Sequence, residues 1–282
     1  MEKAGPAGSP EDRASRALTA LVDAARLGGE TALNYFRPGQ RTSADIAYKA
    51  GDSPVTAADL AVDAKLAQVL RAAFPQAGWL SEETEDDPAR LGREQLIVLD
   101  PIDGTRAFMT GDPCWTVAIA LVEQGEPIAG VVHAPALGET FAASKGRGAT
   151  LNGVSIRAAG FAALDGARVA GPRPMIAAFA AAAGFRAEPA PRMPSLAYRL
   201  CSVAAGRSDI GLASANSHDW DIAAADIILR EAGAGLREGG AGLRKGIAEI
   251  SYNQARTRHD PLLAAPLEWL PRLASAVPGG QA

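Results

Sequence analysis

The apolar run Leu96-Ile97-Val98-Leu99 passes without a break into Asp100-Pro101-Ile102-Asp103-Gly104-Thr105. The run reads as a buried strand, and a buried strand that ends on carboxylates needs a reason. Pro101 fixes φ and Ile102 continues the turn, so Asp100 and Asp103 are able to converge while the Ile102 carbonyl stays free as a neutral ligand. Two carboxylates brought together lose hydration and repel each other, so something positive should sit between them. Gly104 lets the backbone approach a ligand closely. A helix starting at Thr105 would point its first N–H groups at the same place, which favours an anion.

Composition removes several alternatives. With 282 residues, the chain is long enough for one large domain or two halves that share a core. Apolar residues make up 48% and charged residues 21%, an ordinary globular balance. The net charge of −4 speaks against a polymeric nucleic acid as partner, which would select a basic stripe. An anionic substrate must then be attracted locally, because the overall field is mildly repulsive. Cys114 and Cys201 show no metal-finger spacing and are expected as buried, reduced thiols. The longest apolar run, 175–185, is half of the roughly 20 residues that span a bilayer, so no membrane partner is expected. The N-terminus lacks a signal pattern, and a cytoplasmic location is expected.

Periodicity places the elements. Apolar positions at helical spacing run from 15 to 36, with Gly28 and Gly29 marking a kink or a close packing point. A second amphipathic helix follows Pro54-Val55-Thr56 and ends at Pro75. A short strand at 78–81 leads into an acidic loop, and the strand 96–99 is followed by three more, joined by hairpin turns at "EQGEP" and "ALG". Beyond a waist at 153–165 come a strand at 167–171, helices at 174–183 and 195–206, a strand at 209–214, a helix from about 220 and a strand near 249–252. The low-complexity stretch "GGAGLRKG" reads as a loop. The expected organisation is α+β in layers. It comprises a tail at 1–14, an N-terminal half at 15–155 with the metal and phosphate site, a C-terminal half at 156–270 with the specificity loops, and a tail at 271–282.

Two further acidic sites stand at junctions between an apolar element and a loop: "SEE" at 81–83 and "HDWD" at 218–221. Hard oxygen ligands without a His or Cys pair select Mg2+, Mn2+ or Ca2+ over zinc. Carboxylate-held metals beside an N–H cradle describe a metal-dependent phosphatase, in which two ions roughly 3.5–4 Å apart clamp the attacking and leaving oxygens. A lone DxxD after a strand is usually a turn with an N-capping Asp. Several such signals in one chain carry the chemical reading.

Four stretches, "KAGDSPVTAADLAVDAKL", "WLSEE", "LDPIDGTRAF" and "WDIAAADIILREAGA", stand in the order and spacing of the inositol monophosphatase superfamily, which the chain resembles over roughly 15–260. The resemblance implies a layered αβαβα sandwich and Mg2+-dependent, lithium-sensitive hydrolysis of small phosphomonoesters. It implies that Glu82 holds metal, Asp100 bridges two ions, the Ile102 carbonyl and Asp103 each bind one, and Asp221 completes the second site from the other half. Asp59 and Thr105 would orient and deprotonate the attacking water, sometimes with a third Mg2+, and the Gly104 and Thr105 N–H groups would hold the phosphate. Trp220 is expected to be buried beside Asp221 as an anchor.

Within the superfamily, "KAGDSPVTAADLA" and "LSEE" are most similar to the bacterial 3′(2′),5′-bisphosphate nucleotidases, which implies adenosine 3′,5′-bisphosphate as substrate. "DGTRAF" is closer to the histidinol-phosphatase-like members, and "SHDWD" in place of "CWD" fits inositol phosphates less well. A catalytically dead homologue that binds a phosphorylated metabolite is the non-enzymatic alternative. The expected partner is a small phosphorylated metabolite, with a homodimer as the assembly to test. His218 should border the leaving-group pocket, while Arg106 and Arg199 suit a second phosphate through bidentate bonds.

Overall fold

Alternating side chains on the central strands face two different helical layers, and this alternation sets the architecture. The computed structural model describes residues 10–49, 53–160, 163–239, 248–273 and 276–277. Its first part runs α1 (Pro10–Leu33), β1 (Ile46–Tyr48), β2 (Pro54–Thr56), α2 (Ala57–Ala73), β3 (Gly78–Ser81), β4 (Gln95–Asp103), α3 (Thr105–Thr110), β5 (Thr116–Glu123), β6 (Glu126–Ala134), β7 (Glu139–Ser144), β8 (Ala149–Leu151) and β9 (Val154–Ile156). The second part runs β10 (Arg168–Ala170), α4 (Arg173–Ala183), β11 (Glu188–Pro189), α5 (Leu196–Ala204), β12 (Ile210–Ala213), α6 (Asp219–Glu231), β13 (Ala234–Glu238), β14 (Ala248–Glu249), β15 (Leu262–Pro266) and α7 (Leu270–Leu273).

Strands β3 to β9 form a seven-stranded sheet in sequence order, antiparallel except for the β3–β4 pair. The second sheet has six strands in the order β11-β10-β12-β15-β13-β14. On β4, Ile97 and Leu99 turn with Val117 and Ile119 of β5 toward Leu21 of α1 and Val62, Leu66 and Leu70 of α2. Leu96 and Val98 turn the other way with Ala118 and Ala120, onto Leu200 and Val203 of α5 and Ile222 and Ile227 of α6. The same two helices meet Ala213, Leu236, Leu262 and Ala264 of the second sheet. On its far face, Val169, Ile210, Leu212 and Leu263 are covered by Ile176 and Phe179 of α4 and Leu270 and Leu273 of α7. The result is an α+β sandwich of five layers, αβαβα, as the sequence leads one to expect.

Several boundaries differ from the sequence reading. Helix α1 begins at Pro10, inside the stretch expected to be a tail; a proline is tolerated in the first helical turn, where its missing N–H has no partner to lose. It ends at Leu33, and Phe36 beyond it is still buried in the core. Gly28 and Gly29 do not kink this helix but allow close packing: a Cβ on Gly29 would stand 2.7 Å from His133 Cδ2. At the other end, α7 and the buried Ala276 extend order past 270. Residues 1–9, 278–282 and most of the "GGAGLRKG" stretch lie outside the described residues. Both cysteines are free and buried. Among the described residues no helix is long and apolar enough to cross a membrane.

Helix and sheet approach each other closely at Gly130 of β6. A Cβ there would lie 2.5 Å from Ile227 Cγ2 and 2.8 Å from the Ala224 carbonyl of α6. The alanines of α6 and this glycine together set the spacing of the central helical layer. Gly130→Ala should therefore destabilise the protein by about 1–3 kcal/mol, read as a lower urea midpoint, because it overpacks a contact that has backbone on one side. An unchanged midpoint would show that the layer can shift freely.

Candidate active site

Asp100 and Asp103 are an odd number of residues apart, so in a regular strand they would point to opposite faces. The ladder between β4 and β5 pairs Asp100 with Ala118 and Asp103 with Thr116, three residues against two. This bulge falls at Pro101-Ile102, where proline has no N–H to give the ladder. One extra residue resets the alternation, and both carboxylates turn to the side of α5 and α6. Asp221, in the first turn of α6, completes the group: one oxygen from each of Asp100, Asp103 and Asp221 lies within 4.8 Å of the others.

Backbone N–H groups hold each member. Asp100 Oδ1 accepts from Ile102 N at 3.0 Å. Asp221 Oδ2 accepts from His218 N at 2.6 Å. Asp103 receives Leu196 N at 3.1 Å, Ala197 N at 2.7 Å and the Ser195 hydroxyl at 2.5 Å, all from the start of α5. Asp100 Oδ2 is buried with no hydrogen-bond partner, an arrangement that a carboxylate tolerates only if a cation or a proton serves it. Burial lifts Asp100 well above the ordinary carboxylate range, and the charges of Glu82, Asp103 and Asp221 lift it further. Burial does the same to Asp221, with Asp103 adding to it. Asp103 is also raised by burial, although its bonds to Ser195, Ala197 and Leu196 oppose the shift. The three carboxylates fit a divalent cation by geometry and by donor type.

Glu82 and Lys49 form the neighbouring part. Lys49 Nζ lies 3.3 Å from Glu82 Oε1 and 2.8 Å from Glu83. Burial raises Glu82 to about 7 against the pull of Lys49. Glu82 is outside the three-carboxylate cluster, but it lines the same cavity. The Ile102 carbonyl is not wholly free, since it accepts the Thr105 hydroxyl at 3.1 Å. That hydroxyl also lies 3.3 Å from Asp59 Oδ1. It has one proton, so Asp59 and Ile102 compete for it. Asp59 is the N3 residue of α2, and its Oδ2 accepts from Thr56 N and Oγ1 in a capping box. Burial raises Asp59 to about 6 despite those bonds.

Gly104 caps α3 with φ +95°, a left-handed conformation that favours glycine, and a Cβ there would meet the Cys114 carbonyl at 3.3 Å. The cavity beside it has a volume of about 540 Å³ and is lined by Glu82, Asp100, Ile102, Asp103, Gly104, Thr105, Arg106 and Asp221. Arg173, Arg192 and Arg199 of the second half line it as well. Arg199 is less available than the sequence suggests: Nε and Nη2 donate to the Met193 carbonyl and Nη1 to that of Leu212. His218 does not line the cavity; its ring stacks on Trp220 at 4.5 Å, and Trp220 is half-buried rather than buried. Burial lowers the His218 pKa, with Arg258 and His259 adding to the effect.

Sequence reasoning gave no role to Lys49, which opens the first of the four motifs, nor to Ser195, Arg173 and Arg192, which stand outside them. It also passed over the strap that fixes the approach to α6. Asn216 N donates to the His259 carbonyl, Asp219 N to that of Thr257 and His259 N to that of Ser217, and His259 Nε2 lies 2.8 Å from Asp219 Oδ1. Burial opposes charge on His259, but its bonds to Asp219 and Glu238 prevail and raise it to about 9.

The sequence and the overall fold are shared with known proteins. The inositol monophosphatase family model matches residues 14–270, and the chain belongs to that family. Its relatives include the Nus factor SuhB of Haemophilus influenzae, 36% identical over 230 residues, which cover 77% of this chain and 82% of that one. A histidinol-phosphatase of Chlorobaculum parvum is 38% identical over 145 residues, a match spanning 51% of this chain and 54% of that protein. The crystal structure of the extragenic suppressor protein SuhB from Bartonella henselae superposes with a TM-score of 0.77 at 26% identity, covering 94% of this chain and all of that one.

The raised carboxylates give a pH dependence of definite sign. Between the ordinary carboxylate pKa and the raised native value, the native state holds more protons than the unfolded chain, so stability falls as pH rises. His259 acts in the same direction, since its contribution is complete below about pH 6.5 and is lost as pH rises through about 9. In EDTA the thermal midpoint should fall from about pH 5 to about pH 8, and Mg2+ should raise it more at the higher pH. A midpoint that is flat with pH and indifferent to Mg2+ would count against a cation site here.

Proposed function

We propose that this family phosphatase is Mg2+-dependent and hydrolyses a small phosphomonoester, with the 3′-phosphate of adenosine 3′,5′-bisphosphate as its preferred group. The observation that carries the reading is the convergence of Asp100, Asp103 and Asp221, with Asp100 Oδ2 buried and unpartnered. Glu82, Asp100, the Ile102 carbonyl, Asp103 and Asp221 are the groups to hold two or three ions. Bound Mg2+ would supply Lewis-acid stabilisation of the charge that develops on the attacking and leaving oxygens.

The chain's own groups account for the rest. Asp59, raised by burial to about 6, accepts the Thr105 proton at Oδ1, which frees the Thr105 oxygen to accept a proton from the attacking water. The N–H groups of Gly104 and Thr105 hold the phosphoryl oxygens. The likeness of "KAGDSPVTAADLA" to the bisphosphate nucleotidases supports the nucleotide, and a cavity of about 540 Å³ leaves room beyond the phosphoryl group for a nucleoside. Histidinol phosphate is the second reading, favoured by the Chlorobaculum parvum relative.

Phosphate release from adenosine 3′,5′-bisphosphate, inositol 1-phosphate, histidinol phosphate and fructose 1,6-bisphosphate decides among these. Release should require Mg2+, stop with EDTA, fall in millimolar-range lithium and be fastest on the nucleotide. Asp59→Asn and Thr105→Ala should each lower kcat by roughly 10²–10⁴-fold. Faster release from histidinol phosphate would move the substrate to the second reading. No Mg2+-dependent release from any of the four would leave a phosphometabolite-binding homologue without catalysis.

A further inference from the structure

The second half brings guanidinium groups to the cavity from three separate places. Arg173 opens α4, Arg192 lies in the loop between β11 and α5, and Arg199 stands on α5. Arg199 is committed to backbone carbonyls and is half-buried, so it acts as a fixed positive wall. Arg192 is near enough to depress the pKa of Arg199, after burial and against the pull of Asp103. Like charges at such a distance repel unless an anion lies between them. The carboxylates do little to neutralise the other two arginines. Arg192 reaches Asp112 only at 3.5 Å, with its side chain 79% exposed, a geometry that contributes little. Arg173 is exposed and forms no ion pair among the described residues. A chain with an overall charge of −4 thus brings three arginines of its second half to one cavity, two of them with donors to spare.

We propose that Arg173 and Arg192 form, against the fixed charge of Arg199, a subsite for a second anionic group on the leaving-group part of the substrate. The guanidinium fork suits phosphate through paired N–H···O bonds. The subsite selects esters that carry a second phosphate and rejects leaving groups that carry a cationic amine. The inference rests on the phosphatase reading above and deepens it: the carboxylates perform the hydrolysis, and the arginines choose the ester.

The test compares substrates that differ only in the second phosphate. Wild type and the Arg173→Ala/Arg192→Ala double variant are assayed with Mg2+ on adenosine 3′,5′-bisphosphate, adenosine 3′-monophosphate and fructose 1,6-bisphosphate. Equilibrium binding of the two adenosine compounds is measured by calorimetry in the Asp59→Asn background, with and without the two arginines. Wild type should favour the bisphosphate over the 3′-monophosphate by at least about ten-fold in kcat/KM and in affinity, with most of the difference in KM. The double variant should lose that ratio. The fructose ester separates a subsite for any second phosphate, which would also show an arginine-dependent KM, from one that needs the nucleoside. Equal kcat/KM on both adenosine substrates in wild type, or a preference that survives in the double variant, overturns the proposal and leaves the phosphatase reading intact. If no ester is hydrolysed, that reading fails, and the binding ratio still decides on the subsite.

Discussion

The carboxylate of Asp103 is where the two sheets are joined. It is fixed to the end of β4, yet its hydrogen bonds come from Ser195, Leu196 and Ala197 at the start of α5. A negative group in this position satisfies N–H donors that no helical turn can reach and offsets the positive end of the helix. The Ser195 hydroxyl serves twice, giving its proton to Asp103 and accepting from Tyr198 N. Since α5 also packs on both sheets, the placement of a ligand-type side chain and the stacking of the layers are one interaction. Asp221 repeats the logic at α6, where it caps its own helix through His218 N.

The cost of this arrangement is electrostatic. Three carboxylates within 4.8 Å, all at least half-buried, raise one another's proton affinity, and the Ser195 hydroxyl, backbone N–H groups and nearby cations moderate the effect. Lys49 moderates it beside Glu82 and Arg199 beside Asp103, whereas Asp100 has no such partner on Oδ2. The protein tolerates a poor local energy at the place where a cation and a phosphate would improve it.

The layered fold and the carboxylates were legible because each leaves a local mark. Apolar alternation marks strands, and an acidic residue at the end of an apolar run is conspicuous. Leu96 to Leu99 showed the strand, but not that it continues through Pro101 with a bulge, because a bulge depends on how the neighbouring strand pairs. Pro10 looked like part of a tail because its neighbours are polar, although the helix that starts there is anchored further along by Leu21 and Ala25. Arg173 opens α4, whereas Arg192 and Ser195 share the connection from β11 to α5, and no spacing rule ties them to the carboxylates. His218 misled for the opposite reason: it adjoins Asp221 in sequence, but its ring turns to Trp220.

Helix α6 lies in the middle layer, bounded by Gly130 on one sheet and by Ala234 and Leu236 on the other. Helix α4, with Arg173 at its start, lies in the outermost layer and packs on one sheet only. Substitutions near α6 must fit on two sides, whereas those at the edge of α4 need fit on one. On the proposed reading, the reaction chemistry belongs to the interior and the choice of ester to a margin of the molecule that is packed on one side only. Substitutions along that margin would then exchange one phosphorylated metabolite for another while the packed interior stays as it is.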